Sequence, residues 1–209
     1  MRSAQELWTS NVDVAAACLA HPFVEGIASG GLDRGAFARF VAQDAVFLGR
    51  FARAYALCLA KAPDQEAMMA AKVLLDGVFE ELDLHASFAA KWDVDLAPTP
   101  APATSAYTDF LLRVAALEPI GYAYAAMTPC MRLYAWLGQQ LARRTAPDSP
   151  YGDWVSTYAA EGFEELAATL ERLLDTYGER SDETVIAAHY RTAMRLELAF
   201  FDAMYRGDA

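Results

Sequence analysis

Along most of the chain, apolar residues return three and four positions apart, and few segments alternate apolar with polar, so the period is that of amphipathic helices. The spacing predicts an all-α chain with helices over 3–20, 33–61, 64–91, 104–117, 120–144, 151–177 and 181–205. Punctuation sets the breaks: Gly30-Gly31, Pro63, Pro119, Pro147-Asp148-Ser149-Pro150 and Gly178. Asp64 and Ser181 are expected as N-caps, because their side-chain oxygens can accept the first unpaired N–H groups of the helices that follow. The stretch Ala97-Pro98-Thr99-Pro100-Ala101-Pro102 lacks the helical period, and its alternating prolines predict an extended crossover. Both flanks are equally helical and no repeat is visible, so one domain over 1–209 is expected.

The informative positions are polar residues where the period demands apolar ones. On the 33–61 helix the inward stripe reads Phe37, Phe40, Val41, Asp44, Phe47, Leu48, Phe51 and Tyr55, with a carboxylate in its middle. Taking that group out of water raises its pKa or requires a partner, either an Arg or backbone donors in a structural network. Glu197 sits likewise among Ile186, Tyr190, Ala193, Phe200, Phe201 and Met204. On the 120–144 helix the stripe is Met127, Cys130, Leu133, Tyr134, Leu137 and Leu141, and Cys130 follows Pro129, which removes one helical hydrogen bond and predicts a kink or an opened carbonyl there. A free cysteine alone is more often a small core residue than a nucleophile. Together, however, Asp44, Tyr107, Cys130, Tyr134, Tyr158 and Glu197 come from five helices, and such a set converges only at a pocket in the bundle core.

Composition narrows the alternatives. The 209 residues are 55% hydrophobic, enough for a full core, and carry a net charge of -11. That acidity disfavours nucleic acid and anionic membrane as partners, since both are bound through Lys and Arg. Cys18, Cys58 and Cys130 show no CxxC or CxxH spacing, so free thiols are expected and neither a disulfide framework nor a zinc site. The start has no apolar signal core and every apolar run is broken by charge short of a bilayer span, so a cytoplasmic protein is expected. Glu81 and His85, four apart, and His189 raise the possibility of iron in a helical bundle, but the second Glu-x-x-His motif is absent and a hydrogen-bonded structural histidine is the better reading. Glu164-Glu165 and Asp182-Glu183 read as solvated faces.

A series of fragments, in order over nearly the whole chain, resembles one family: His21-Pro22-Phe23-Val24 with Gly26-Ile27, Gln43-Asp44 with Phe47-Leu48 and Phe51-Ala52, Glu81 with His85 and Phe88, Tyr107-Thr108, Pro129-Cys130 with Leu133-Tyr134, Tyr151 with Trp154, Thr157-Tyr158, and Glu197 with Phe200 and Tyr205. The chain is similar in these to the TenA family, or thiaminase II, of the haem-oxygenase-like fold. The resemblance implies an enzyme of thiamin salvage that hydrolyses 4-amino-5-aminomethyl-2-methylpyrimidine to the hydroxymethyl pyrimidine and ammonia, with some cleavage of thiamin itself. It further implies a homotetramer with no metal or cofactor, and its cysteine-dependent branch, since Cys130 is present. It assigns catalysis to Cys130, Glu197, Tyr107 and Tyr158, and substrate binding to Asp44, Phe47, Tyr134 and Phe200. Asp44 would hold the ring, and Phe47 and Phe200 would sandwich it. Family members often carry tyrosine where this chain has Phe47, which removes one hydroxyl from the pocket. The rivals are a haem or non-haem iron enzyme on the same fold, with His21 or the Glu81/His85/His189 set as ligands, and a non-catalytic regulatory binding protein.

Overall fold

In a computed structural model that describes residues 2–92 and 94–207, the chain winds through ten α-helices, with no strand among the described residues. They are α1 (Ala4–Thr9), α2 (Val12–Leu19), α3 (Pro22–Ser29), α4 (Arg34–Lys61), α5 (Gln65–Trp92), α6 (Pro102–Leu117), α7 (Ile120–Ala142), α8 (Gly152–Ala159), α9 (Glu161–Gly178) and α10 (Glu183–Arg206). The long helices carry the architecture. α4 lies along α5 and α6, while α7 runs against α8, α9 and α10, so that α7 and α10 close the bundle over the inner face of α4.

The long elements follow the sequence period, and the differences have local causes. The helix expected over 3–20 breaks after Thr9, where Ser10 Oγ bonds to the Glu6 carbonyl at 2.7 Å and Asn11 Nδ2 to the Leu7 carbonyl at 2.8 Å. Side chains that take these carbonyls compete with continuation of the helix. Residues 22–29, expected outside any helix, form α3: Pro22 occupies its first turn, where the missing N–H is no loss, and Gly30 at φ +74° ends it. The helix expected over 151–177 divides at Ala160, whose extended backbone ends α8 and starts α9. α6 begins at Pro102, inside the proposed connector.

Asp64 caps α5 as expected, with Oδ1 accepting from the Ala67 N–H at 2.8 Å. At α10 the cap is Asp182 rather than Ser181, and Oδ1 accepts from the Thr184 N–H at 2.8 Å. Glu164 is not a solvated face: with Glu171 it grips Arg132 of α7 through four bonds of 2.7–2.8 Å, fastening α9 to α7. α7 continues without a break through Pro129.

No single helix among the described residues is long and apolar enough to cross a membrane. The bent pair α2 and α3 meets that measure only jointly, and its Val14, Cys18, Phe23, Val24 and Ile27 are buried in the core.

Two details position the interior. Gln43, next to Asp44, bonds through Oε1 to the Ala101 N–H at 2.9 Å and the Thr104 hydroxyl at 2.7 Å, and through Nε2 to the Thr99 carbonyl at 3.0 Å. It thereby seats the proline-rich crossover and the start of α6 on α4. Gly138 of α7 lies against the α8 backbone at Tyr158 and Ala159, so closely that a β-carbon there would overlap the Tyr158 carbonyl. The missing side chain lets α8 press its Tyr158 inward.

Candidate functional site

The six polar residues expected at one place are there, Asp44 from α4, Tyr107 from α6, Cys130 and Tyr134 from α7, Tyr158 from α8 and Glu197 from α10, together with the two phenylalanines Phe47 of α4 and Phe200 of α10. Asp44, Phe47, Tyr107, Cys130, Tyr134, Glu197 and Phe200 line one small cavity. A second adjoins it and shares Asp44, Phe47, Cys130 and Tyr134, adding Glu81, Met131, Tyr158 and Phe163. Each has a volume of about 10 Å³, the room of roughly one water molecule.

The aromatic walls are closer than a stacking slot requires. Phe47 and Phe200 stand 6.4 Å apart with planes inclined at 44°, whereas a flat ring between two others takes about 7 Å, at roughly 3.5 Å per face. The expected sandwich is therefore not preformed, and a heterocycle enters only as these rings part and flatten.

Cys130 stands between two carboxylates, each holding a tyrosine. On one side Tyr107 donates to Glu197 Oε1 at 2.8 Å; on the other Tyr158 donates to Glu81 Oε1 at 2.6 Å. Cys130 and Glu197 line the same cavity, and the charge of Glu197 acts on the thiol. Burial pushes Glu197 up to about 8, against the opposing Tyr107 hydrogen bond and the neighbouring Cys130 thiol. Burial and the nearby Asp44 push Glu81 up to about 7, against His85. The Cys130 thiol is held well above its ordinary value by burial and then by Glu197, Glu81 and Asp44. It therefore rests as a thiol, and its attack as a nucleophile needs a base within reach. Glu197 and Glu81 are the two raised acids that face it.

The partner of Asp44 is neither an arginine nor a set of backbone donors but His85, whose Nε2 lies 2.8 Å from Asp44 Oδ2. His85 is hydrogen-bonded on both ring nitrogens, and the Glu81 side chain is turned to Tyr158. Among the described residues no three His, Cys, Asp or Glu side chains stand close enough together to hold a metal. His21 caps α3, its Nδ1 accepting from the Phe23 N–H at 3.1 Å, and His189 pairs with Glu118 at 2.7 Å. Cys18 and Cys58 are buried packing residues, and all three cysteines are free.

Sequence reasoning named Glu81 only as a ligand of the iron rival and in the family resemblance, and it missed Phe163. Both line the inner cavity and also a wider outer cleft of about 570 Å³ between α5 and α9, so they form the throat between the two. Glu81 lies beside Glu80 and near Asp83, and the period of the helix alone does not say which of these acids turns inward.

Comparison with known proteins identifies the family and the fold. The family model described as TENA/THI-4/PQQC family matches residues 8–207. A relative named aminopyrimidine aminohydrolase, from Halalkalibacterium halodurans, is 32% identical over 97% of this chain and 92% of its own length. The bifunctional TH2 protein, mitochondrial, of Arabidopsis thaliana is 35% identical over 87% of this chain, which spans about a third (34%) of that longer protein. Among solved structures, a TenA family transcription regulator from a Silicibacter species superposes with a TM-score of 0.90 at 28% identity, covering 98% of this chain and 96% of the other. A more distant structure from Shewanella denitrificans, described as having a heme oxygenase-like fold, superposes at 0.78 with 13% identity over 99% of this chain and 94% of its own, a likeness of fold alone.

Proposed function

The chain belongs to the TENA/THI-4/PQQC family, and from that premise we propose that it is an aminopyrimidine aminohydrolase, a hydrolase of carbon–nitrogen bonds that converts 4-amino-5-aminomethyl-2-methylpyrimidine to the hydroxymethyl pyrimidine and ammonia, with slower cleavage of thiamin. One observation carries the reading: a thiol, the two acids Asp44 and Glu197, and the phenols of Tyr107 and Tyr134 line one cavity whose remaining walls are aromatic.

Asp44 accepts hydrogen bonds from the aminopyrimidine edge and fixes the ring beside Cys130. The Cys130 thiol passes its proton to Glu197 as sulfur adds to the electron-poor ring. Density moved onto the ring expels the amine from the aminomethyl arm, and Glu197 protonates it as it leaves. Glu197 then takes a proton from water as the oxygen bonds to that arm; sulfur departs and recovers its proton. A carboxyl group raised to about 8 suits both directions, because it gives and takes a proton at little cost near neutrality. Tyr107 orients Glu197, Tyr158 and Tyr134 bound the thiol, and Phe47 and Phe200 close on the ring faces.

The same proposal takes 1–209 as a single domain acting in the cytoplasm on a small molecule rather than on nucleic acid or membrane, supported by the net charge of -11 and three free cysteines. A homotetramer is part of it, supported by the exposed Met68, Met69, Val73 and Phe79 along α5. Light scattering behind size exclusion reads the mass directly. For the activity, ammonia release from the aminomethyl pyrimidine is expected with the wild-type chain and essentially none with Cys130→Ala. Full turnover by Cys130→Ala would overturn the nucleophile.

A further inference from the structure

His85 and Asp44 meet in a setting that fixes the number of protons between them. His85 is fully buried; its Nδ1 lies 2.9 Å from the Glu81 backbone carbonyl and its Nε2 2.8 Å from Asp44 Oδ2. A carbonyl oxygen only accepts, so Nδ1 carries a hydrogen. A neutral imidazole has just that one, and its Nε2 would then turn a lone pair on a carboxylate. At 2.8 Å the contact is attractive only with a further proton between Nε2 and Oδ2. His21 shows the contrasting case. Its Nδ1 accepts from a backbone N–H, so one proton, on Nε2, suffices for the bond to Asp202 at 3.1 Å.

We infer that His85, as an imidazolium, is the positioning residue for Asp44: it pins Oδ2 from behind and leaves Oδ1 to accept from the exocyclic amine of an aminopyrimidine. The substrate part rests on the proposed function; the protonation does not. Without such a partner the chamber does not favour an ionised acid, as Glu197 and Glu81, both raised by burial, show. The groups facing the pair are Glu81 on the same helix as His85, Tyr107 from α6, Cys130 and Tyr134 from α7, Tyr158 from α8 and Glu197 from α10. None of them is a cation, so the positive charge facing Asp44 is His85's own. Burial by itself would lower the His85 pKa; the Asp44 hydrogen bond and charge, with Glu81, overcome that and raise it to about 9. Raised above the ordinary value of 6.5, the contribution is present below that value and is lost as pH climbs through about 9.

The test combines a spectrum with kinetics. In protein labelled with ¹⁵N-histidine, the His85 ring is expected to stay doubly protonated from pH 6 to about 9, and to titrate lower in Asp44→Asn. With the aminomethyl pyrimidine, His85→Leu is expected to raise KM about tenfold or more with little change in kcat, the pattern of lost uniform binding. His85→Gln, whose amide N–H reaches the place of Nε2 and does not titrate, is expected to recover most of the affinity and to flatten the limb of kcat/KM near pH 9. A neutral His85 ring at pH 7, or a folded His85→Leu with wild-type KM, overturns the inference. Wild-type protein that turns over no aminopyrimidine while His85 reads as imidazolium instead sinks the functional premise, and the ring-holding role with it.

Discussion

Tyr107 donates its phenol to Glu197 Oε1 across 2.8 Å, tying α6 to α10 beside the thiol. That bond lowers the Glu197 pKa against the larger effect of burial. Tyr107→Phe is therefore expected to move the Glu197 ionisation upward in the pH profile of kcat/KM and to lower kcat by about 3–10-fold, the worth of one hydrogen bond. A profile that stays in place would show that Tyr107 does not touch Glu197 in the working enzyme.

Glu197→Gln removes the proposed proton shuttle, and kcat is expected to fall by about 10²–10⁴-fold. The same variant has an opposite effect on stability. Folded, Glu197 keeps its proton up to about 8; unfolded, only to the ordinary 4.5. Between those values the folded state binds more protons, so its stability falls as pH rises. Glu197→Gln is expected to melt several degrees above wild type at pH 9 and near it at pH 4.5, read by differential scanning calorimetry.

Cys130 is expected to react slowly with iodoacetamide at pH 7. It is held as a thiol by desolvation and three acids, and it is only partly exposed, beside cavities that admit about one water. Intact mass after timed exposure measures this. Alkylation as fast as that of a thiol in a short peptide would contradict the closed, acid-lined setting.

Gly138→Ala is expected to cost about 1–3 kcal/mol or more, because the new methyl group falls on the Tyr158 carbonyl and the helices must separate. Displacing Tyr158 also releases its bond to Glu81, so activity should drop more than the loss of stability explains. Denaturant titration beside kcat separates the two effects.

Much of the fold is readable from spacing alone, because α4, α5, α6, α7 and α10 each keep one apolar face over several turns. The short elements are not, since their ends are set by side chains finding carbonyls, as Ser10 and Asn11 do, or by an unmarked residue such as Ala160 turning extended. The site divides in the same way. Asp44 and Glu197 are visible because they interrupt apolar stripes, whereas Glu81 stands out only through its spacing to His85, its inward turn being hidden in an acidic run, and Phe163 enters through the α8–α9 bend that the period does not foresee. His85 is visible as a histidine, but its bond to Asp44 joins positions 41 apart and is legible only once α4 and α5 lie side by side.

The crossover before α6 has the make-up of a segment that proteases nick and protein engineers reopen to make new termini. Gln43 removes that freedom. Its three bonds tie the strap to the helix one residue from Asp44, the proposed ring holder, so a cut there frees the anchor beside the carboxylate as well as the loop. Circular permutants opened between α5 and α6 should lose substrate affinity well before they lose their fold.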